Sequence, residues 1–199
     1  TGFKGSWLSV WLNNLGADVY GLALDPNCTP SIYEECNLKR HLKEDLRVDV
    51  TCKEDVASEI IKIQPDFIFH LAAQALVKDS YKDPIKTMLV NSIGTANLLN
   101  AIREVEKLVT VILITSDKCY DNVEWLWGYK ENDRLGGKDP YSASKAMTEI
   151  AISSFVHSYF PENGNVRIGI GRAGNVIGGG DWSADRIIPD CVKAWSEGR

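Results

Sequence analysis

Tyr141 and Lys145 stand four residues apart in Asp139-Pro-Tyr-Ser-Ala-Ser-Lys145. On a helix that spacing puts both side chains on one face. A neighbouring ammonium favours phenolate over phenol and makes a tyrosine usable as a general base. The same spacing also fits an exposed helix pair. Context argues for chemistry, because the pair opens a helix after Pro140 and follows a strongly apolar strand pattern. Thr115-Ser116-Asp117-Lys118 comes directly after that apolar run, Val109–Ile114. In open parallel sheets, ligands sit beyond the carboxyl ends of the strands. A hydroxyl, a carboxylate and an amine at that place can orient and protonate a substrate. The alternative is a polar turn carrying a helix cap.

Thr1-Gly2-Phe3-Lys4-Gly5-Ser6-Trp7 suggests a second function, phosphate binding. Two glycines three apart, followed at once by an apolar helical pattern, match the last two glycines of a dinucleotide-binding loop. In such a loop Gly2 and Phe3 bring backbone close to a pyrophosphate. Gly5 permits close packing of helix on strand, and the free N–H groups of the helix face the phosphates. Taken alone, the pair fits any helix start. Asp25 adds weight, standing twenty residues after Gly5 at the end of the next predicted strand. A carboxylate there accepts hydrogen bonds from the adenosine ribose. It would repel a 2′-phosphate, and no arginine follows it closely in the chain, so NAD is expected over NADP. Asp25 also fits a turn before Pro26. Asp49 and Val50, ending a third predicted strand, are placed to flank the adenine, or simply to end the strand.

Residue patterns predict the elements that must position these groups. Helices are expected over 6–15, 53–63, 85–106, 139–159 and 187–195. Strands are expected over 18–24, 46–50, 67–70, 109–114 and 166–170. This alternation argues for a doubly wound, parallel, Rossmann-like α/β fold. The glycine loop starts without the strand and first glycine that should precede it. The expectation is therefore a cofactor domain over 1–174 lacking its first strand. The start of a truncated substrate region would cover 175–199, and these residues alone would be catalytically inactive.

The totals set outer limits. The chain has 199 residues, 44% of them hydrophobic, enough for a sizeable core. A net charge of −5 disfavours general nucleic-acid binding. No apolar run reaches bilayer length. Five scattered cysteines, with no CxxC pair, suit reduced thiols in the cytoplasm. No metal site is expected, since His41, His70 and His157 lack ligand-like neighbours.

At this point the chain resembles the extended short-chain dehydrogenases that modify nucleotide sugars. The resemblance is carried, in order, by the glycine loop, His70-Leu-Ala-Ala-Gln74, Thr115-Ser-Asp-Lys118 and Tyr141-x-x-x-Lys145. Glu124-Trp-Leu-Trp-Gly-Tyr129 and Arg172-Ala-Gly-Asn-Val-Ile-Gly-Gly-Gly-Asp-Trp182 are similar to signatures of the 4,6-dehydratases acting on CDP-glucose. The resemblance implies a recycled NAD, held also by Leu71, Ala72, Ala73, Gln74 and Asn91. It implies Tyr141 as base at the sugar 4-hydroxyl and Lys145 on the nicotinamide ribose. Ser116 would bond the 4-oxygen, and Asp117 would be the acid at the 6-hydroxyl. Asn175 and Arg186 would contact the sugar nucleotide. It implies a hydro-lyase of deoxysugar biosynthesis, such as that of lipopolysaccharide O-antigens, working as a dimer or tetramer. Many related dehydratases carry Asp-Glu where this chain has Asp117-Lys118, which leaves the C5 base open, with Lys118 as the candidate. A nucleotide-sugar 4-epimerase, a dehydratase for another nucleotide, and a non-catalytic NAD-binding regulator are the alternatives. Retention of both Tyr141 and Lys145 weighs against the last.

Overall fold

The computed structural model describes residues 1–26 and 28–199. Its contacts group into two compact units, Thr1–Val48 with Asn175–Arg199, and Asp49–Gly174. The borders between the units fall at 48/49 and 174/175.

The first unit opens with helix α1 (Phe3–Asn14). It starts three residues earlier than its pattern predicts, because Gly2 takes an extended conformation as N-cap and its carbonyl accepts from Ser6 N at 2.8 Å. Strands β1 (Tyr20–Ala23) and β2 (Glu44–Arg47) pair in parallel, Tyr20 opposite Glu44 and Ala23 opposite Arg47. Between them run helix α2 (Ile32–Glu35) and a 3₁₀ turn (Leu38–His41), neither of which the sequence pattern foretells. The strand predicted over 46–50 is corrected. It ends at Arg47, because Asp49 turns the chain by accepting from Thr51 N (2.9 Å) and Thr51 Oγ1 (2.8 Å).

Later in this unit, Gly178, Gly179 and Gly180 pack against α1 and α2. A Cβ on Gly178 would come within 3.3 Å of the Phe3 ring. Gly180 combines a φ of +82° with Ile32 atoms only 2.8 Å from where a Cβ would stand, so no other residue fits without strain. Trp7 Nε1 donates to Gly179 O at 2.9 Å. The glycine run is thus a packed structural element of its unit.

The second unit holds three parallel strands, β3 (Phe67–His70), β4 (Val109–Ile114) and β5 (Val166–Gly171), with β4 in the middle. Val109, Val111 and Leu113 are fully buried on one face of β4, and its other face is half-covered. Helix α3 (Lys53–Ile63) packs on α6 (Gly94–Ile102), and α6 packs on α7 (Pro140–Tyr159). Leu99, Ile102 and Ile152 reach full burial here, each contributing about 1.5–3 kcal/mol of hydrophobic stabilisation.

The single helix predicted over 85–106 is corrected in two ways. It is built as α5 (Pro84–Met88), a π-helical turn (Leu89–Ile93) and α6, and it ends at Ile102. Helix α4 (Val77–Lys82) precedes it. The wider π turn carries Asn91, and π turns of this kind are frequent at functional sites. Just after it, a Cβ on Gly94 would sit 2.7 Å from Val50, so glycine is required by close approach. Asn97 Nδ2 donates to Val50 O at 3.0 Å and holds the same turn. Last in the chain comes α8 (Ile187–Ser196), in the first unit. Among the described residues no helix is long and apolar enough to cross a membrane.

Candidate active site

Helix α7 is started by its own sequence. Asp139 caps it, accepting from Ser142 N (3.0 Å) and Ser142 Oγ (2.6 Å), and Pro140 occupies the first turn, where no N–H is needed. Tyr141 follows, half-buried, and Lys145 lies one turn on with only 5% of its surface exposed. Lys145 Nζ stands 5.9 Å from the centroid of the Tyr141 ring. The shared helix face expected from the spacing is therefore present.

The end of β4 leads into a 3₁₀ turn (Asp117–Cys119) that packs on α7. Ser116 is buried and caps this turn. Its Oγ donates to Asp117 Oδ1 at 3.0 Å and accepts from Lys118 N at 3.2 Å. Asp117 and Lys118 are exposed. Asp117 N donates to Ala173 O at 3.1 Å, which ties the turn to the chain leaving β5. One unit thus joins the turn Ser116–Asp117–Lys118 to the helix bearing Tyr141 and Lys145. A hydroxyl, an acid, a phenol and two amines come from two packed segments, a set that can move protons at a polyol substrate.

Leu71, Ala72, Ala73 and Gln74 leave the carboxyl end of β3 and are half-buried. Asn91 links this loop to α7. Its Oδ1 accepts from Gln74 N (2.8 Å), and its Nδ2 donates to Gln74 O (3.1 Å) and Ser144 Oγ (2.8 Å). With the amide bonded in this way, Asn91 holds the Gln74 loop against α7. His70 is buried and bonded through Nε2 to Thr95 Oγ1 at 3.0 Å. The Thr95 hydroxyl donates to Asn91 O at 2.7 Å, so the imidazole is the donor to Thr95. Burial first, and then the charge of Lys145, lowers His70 to about 4. It is a neutral structural residue, as its strand-end position suggests.

The first unit carries the residues expected to bind phosphate, Gly2 to Gly5, at the start of α1. No side chain caps the first turn of α1 and no acidic residue lies in it. A Cβ on Gly2 or Gly5 would meet nothing within 4 Å. Open space beside uncapped N–H groups fits a diphosphate. Arg186 lies near Lys4 of this turn. Burial and then the Arg186 charge lower the Lys4 ammonium below its usual range. Phe3 lies in the first turn, half-buried, and Asn175 is exposed.

Asp25 is exposed after β1, and here the fold adds what sequence distance hides. Arg47, from the end of β2, places Nε 2.9 Å from Asp25 Oδ1 and Nη2 2.7 Å from Asp45 Oδ2. Asp49 spends one carboxylate oxygen on its own turn, and Val50 is buried under Gly94, both inside the second unit. Among the described residues no group of three or more His, Cys, Asp or Glu could hold a metal ion.

Two further residues join this region: Glu149, which no sequence motif marks, and Arg172, which opens the Arg172–Trp182 motif. Glu149 lies four residues beyond Lys145 on α7, and its side chain, only 4% exposed, pairs with Arg172. The available signal was a carboxylate in register with Tyr141 and Lys145 at four-residue steps.

Comparison with known proteins identifies the family. Residues 1–168 match the family model described as GDP-mannose 4,6 dehydratase. The chain is 47% identical to the CDP-glucose 4,6-dehydratase of Salmonella typhimurium over 98% of its own length and 55% of that protein. The chain thus spans about half the length of the curated relatives it matches. Among solved structures, UDP-glucose 4-epimerase from Thermus thermophilus, in complex with NAD, is 30% identical. It superposes with a TM-score of 0.75 over 92% of this chain and 56% of that one. TunA, an NAD-dependent NDP-hexosamine 5,6-dehydratase of tunicamycin biosynthesis, is 25% identical with a TM-score of 0.75, over 98% of this chain and 59% of that one. With its Rossmann-like parallel strands, its Tyr141–Lys145 helix and a match over most of its length, the chain belongs to the GDP-mannose 4,6-dehydratase family of nucleotide-sugar enzymes.

Proposed function

We propose that this protein is an NAD-dependent hydro-lyase that converts CDP-D-glucose to CDP-4-keto-6-deoxy-D-glucose. The observation that carries the reading is the 47% identity to a CDP-glucose 4,6-dehydratase over 98% of the chain. The Ser116–Asp117–Lys118 turn, packed on the Tyr141–Lys145 helix, supports it.

In this reading the uncapped turn at Gly2–Gly5 binds the pyrophosphate, and Asp25 binds the adenosine ribose. Lys145 binds the nicotinamide ribose. Bound NAD supplies the acceptor for hydride from C4 and its return to C6. Tyr141 takes the proton from the 4-hydroxyl, and Ser116 bonds the 4-oxygen. A ketone at C4 acidifies C5. Loss of the C5 proton, with Asp117 protonating the departing 6-hydroxyl, then releases water across C5 and C6; Lys118 is the candidate acceptor of that proton, a role that requires its neutral amine form. Asn175 and Arg186 contact the sugar nucleotide, and residues 175–199 begin the substrate region. A cytoplasmic homo-oligomer suits five free thiols and a nucleotide-sugar substrate.

The test is incubation of the full-length protein with CDP-glucose and NAD, followed by mass spectrometry. The expected product is lighter by one water. An isomer of unchanged mass would identify a 4-epimerase instead, and no product from any nucleotide sugar would leave a binding protein.

A further inference from the structure

We propose that Glu149 and Arg172 form a buried positioning pair that holds the acid turn at both ends and fixes it to the helix of the base. The proposal rests on the reading of Ser116 and Asp117 as groups that act on the substrate.

Arg172 meets Glu149 as a fork. Nε lies 3.0 Å from Oε1 and Nη2 lies 3.0 Å from Oε2. Such bidentate pairs are among the strongest and most directional hydrogen-bonded contacts. The side chains are 17% and 4% exposed, so water does little to loosen them. Glu149 Oε1 also accepts from the hydroxyl of Thr115, the residue just before Ser116. On its other side, Arg172 Nη1 donates to Tyr120 Oη (2.9 Å) and Glu131 O (2.9 Å), and the guanidinium lies 4.9 Å from the centre of the Tyr120 ring. Tyr120 is the residue just after the 3₁₀ turn. The pair therefore grips Thr115 and Tyr120, the two flanks of Ser116–Cys119. The backbone around Arg172 adds to the grip, because Thr115 N donates to Gly171 O (2.9 Å) and Asp117 N to Ala173 O (3.1 Å).

The tie to the base follows from helix periodicity. Tyr141, Lys145 and Glu149 succeed one another at four-residue steps along α7, near one face. A shift of the Ser116–Cys119 backbone relative to α7 thus strains the contacts of Glu149 and Arg172 with its two flanks. Hydrogen bonds to Glu149 and Tyr120 hold the Arg172 guanidinium firmly protonated, so the grip persists through the working pH range. Tyr120 passes it outward by stacking on Tyr129, ring centroids 4.9 Å apart.

Catalytic groups need placement to a fraction of an ångström, and small misplacement far from the reacting atoms costs turnover. The experiment uses the full-length protein with Arg172→Gln, Glu149→Gln, Arg172→Lys and Tyr120→Phe. Steady-state dehydration of CDP-glucose is measured together with NAD affinity and amide hydrogen exchange over 115–120. Arg172→Gln and Glu149→Gln are each expected to lower kcat by about tenfold or more, with KM and NAD affinity nearly unchanged. The double variant should lose little beyond either single one, because both remove one contact. Arg172→Lys should recover only part of the loss, since it keeps the charge without the fork. Tyr120→Phe, which keeps the ring, covers the case in which the buried variants do not fold. It should lower kcat by about threefold and speed exchange at 115–120 alone. Normal kcat in folded variants, or unchanged exchange in that segment, overturns the proposal. If the unsubstituted protein does not dehydrate CDP-glucose, the functional reading fails, and hydrogen exchange still decides whether the pair holds the turn.

Discussion

Arg47 Nε lies 2.9 Å from Asp25 Oδ1, joining the ends of two neighbouring parallel strands. The carboxylate expected to receive the adenosine ribose is thus accompanied by a guanidinium. Asp25 is largely exposed, so the ion pair itself contributes little stability. Its meaning is for selectivity. With Asp25 present, a 2′-phosphate meets a negative charge, and NAD is expected to bind more tightly than NADP. Asp25→Ser removes that charge and frees one face of Arg47, which stays anchored on Asp45. The full-length variant should gain about tenfold in NADP affinity by titration. Adding Arg47→Ala should cancel the gain. Equal affinities for the two cofactors in the unsubstituted protein would remove Asp25 from the ribose site.

Tyr141→Phe should lower turnover by about 10²–10⁴-fold, the usual worth of a positioned proton-transfer group. NAD binding should persist, because the ring and the Lys145 contact remain. Near-normal turnover would mean another group removes the 4-hydroxyl proton.

Lys118 is exposed and follows the acid directly. If it removes the C5 proton, Lys118→Met should still show the absorbance of reduced cofactor in a single turnover. Solvent deuterium exchange at C5 and water loss should stop. Unchanged exchange at C5 would exclude Lys118 as the base and leave electrostatic support of the C5 enolate as its role.

His70 makes stability depend on acid. Folding lowers its imidazole from 6.5 to about 4, chiefly by burial. Between those values the unfolded chain binds a proton that the folded chain refuses, so stability falls as pH drops through that window. The expected loss from pH 7 to pH 5 is roughly 2 kcal/mol from this residue. His70→Gln should flatten that part of the profile in thermal melts at the two pH values. Identical slopes for variant and parent would show that His70 does not cause the loss.

The pattern of residues determined a good deal without coordinates. Runs such as Val109–Ile114 and Phe67–His70 are strands in the structure because branched and aromatic side chains suit a buried parallel sheet. Helix α7 begins where Asp139-Pro140 prescribes, since capping and a fixed proline φ are local effects. Local spacing likewise brought Tyr141 and Lys145 onto one helix and put Ser116–Asp117–Lys118 at a strand end. Three things depended on tertiary structure. The π turn at Asn91 interrupts a pattern that reads as one helix, because Asn91 bonds Gln74 and Ser144, far away in the chain. Arg47 meets Asp25 only because β1 and β2 pair in parallel, which converts a separation of 22 residues into a salt bridge. The pairing of Glu149 with Arg172 became visible only when β5 was laid beside β4, carrying the guanidinium to a carboxylate on α7. Periodicity and caps express what a residue does with its nearest neighbours along the chain. Partners that meet across strands and helices are chosen by packing, which no local pattern records.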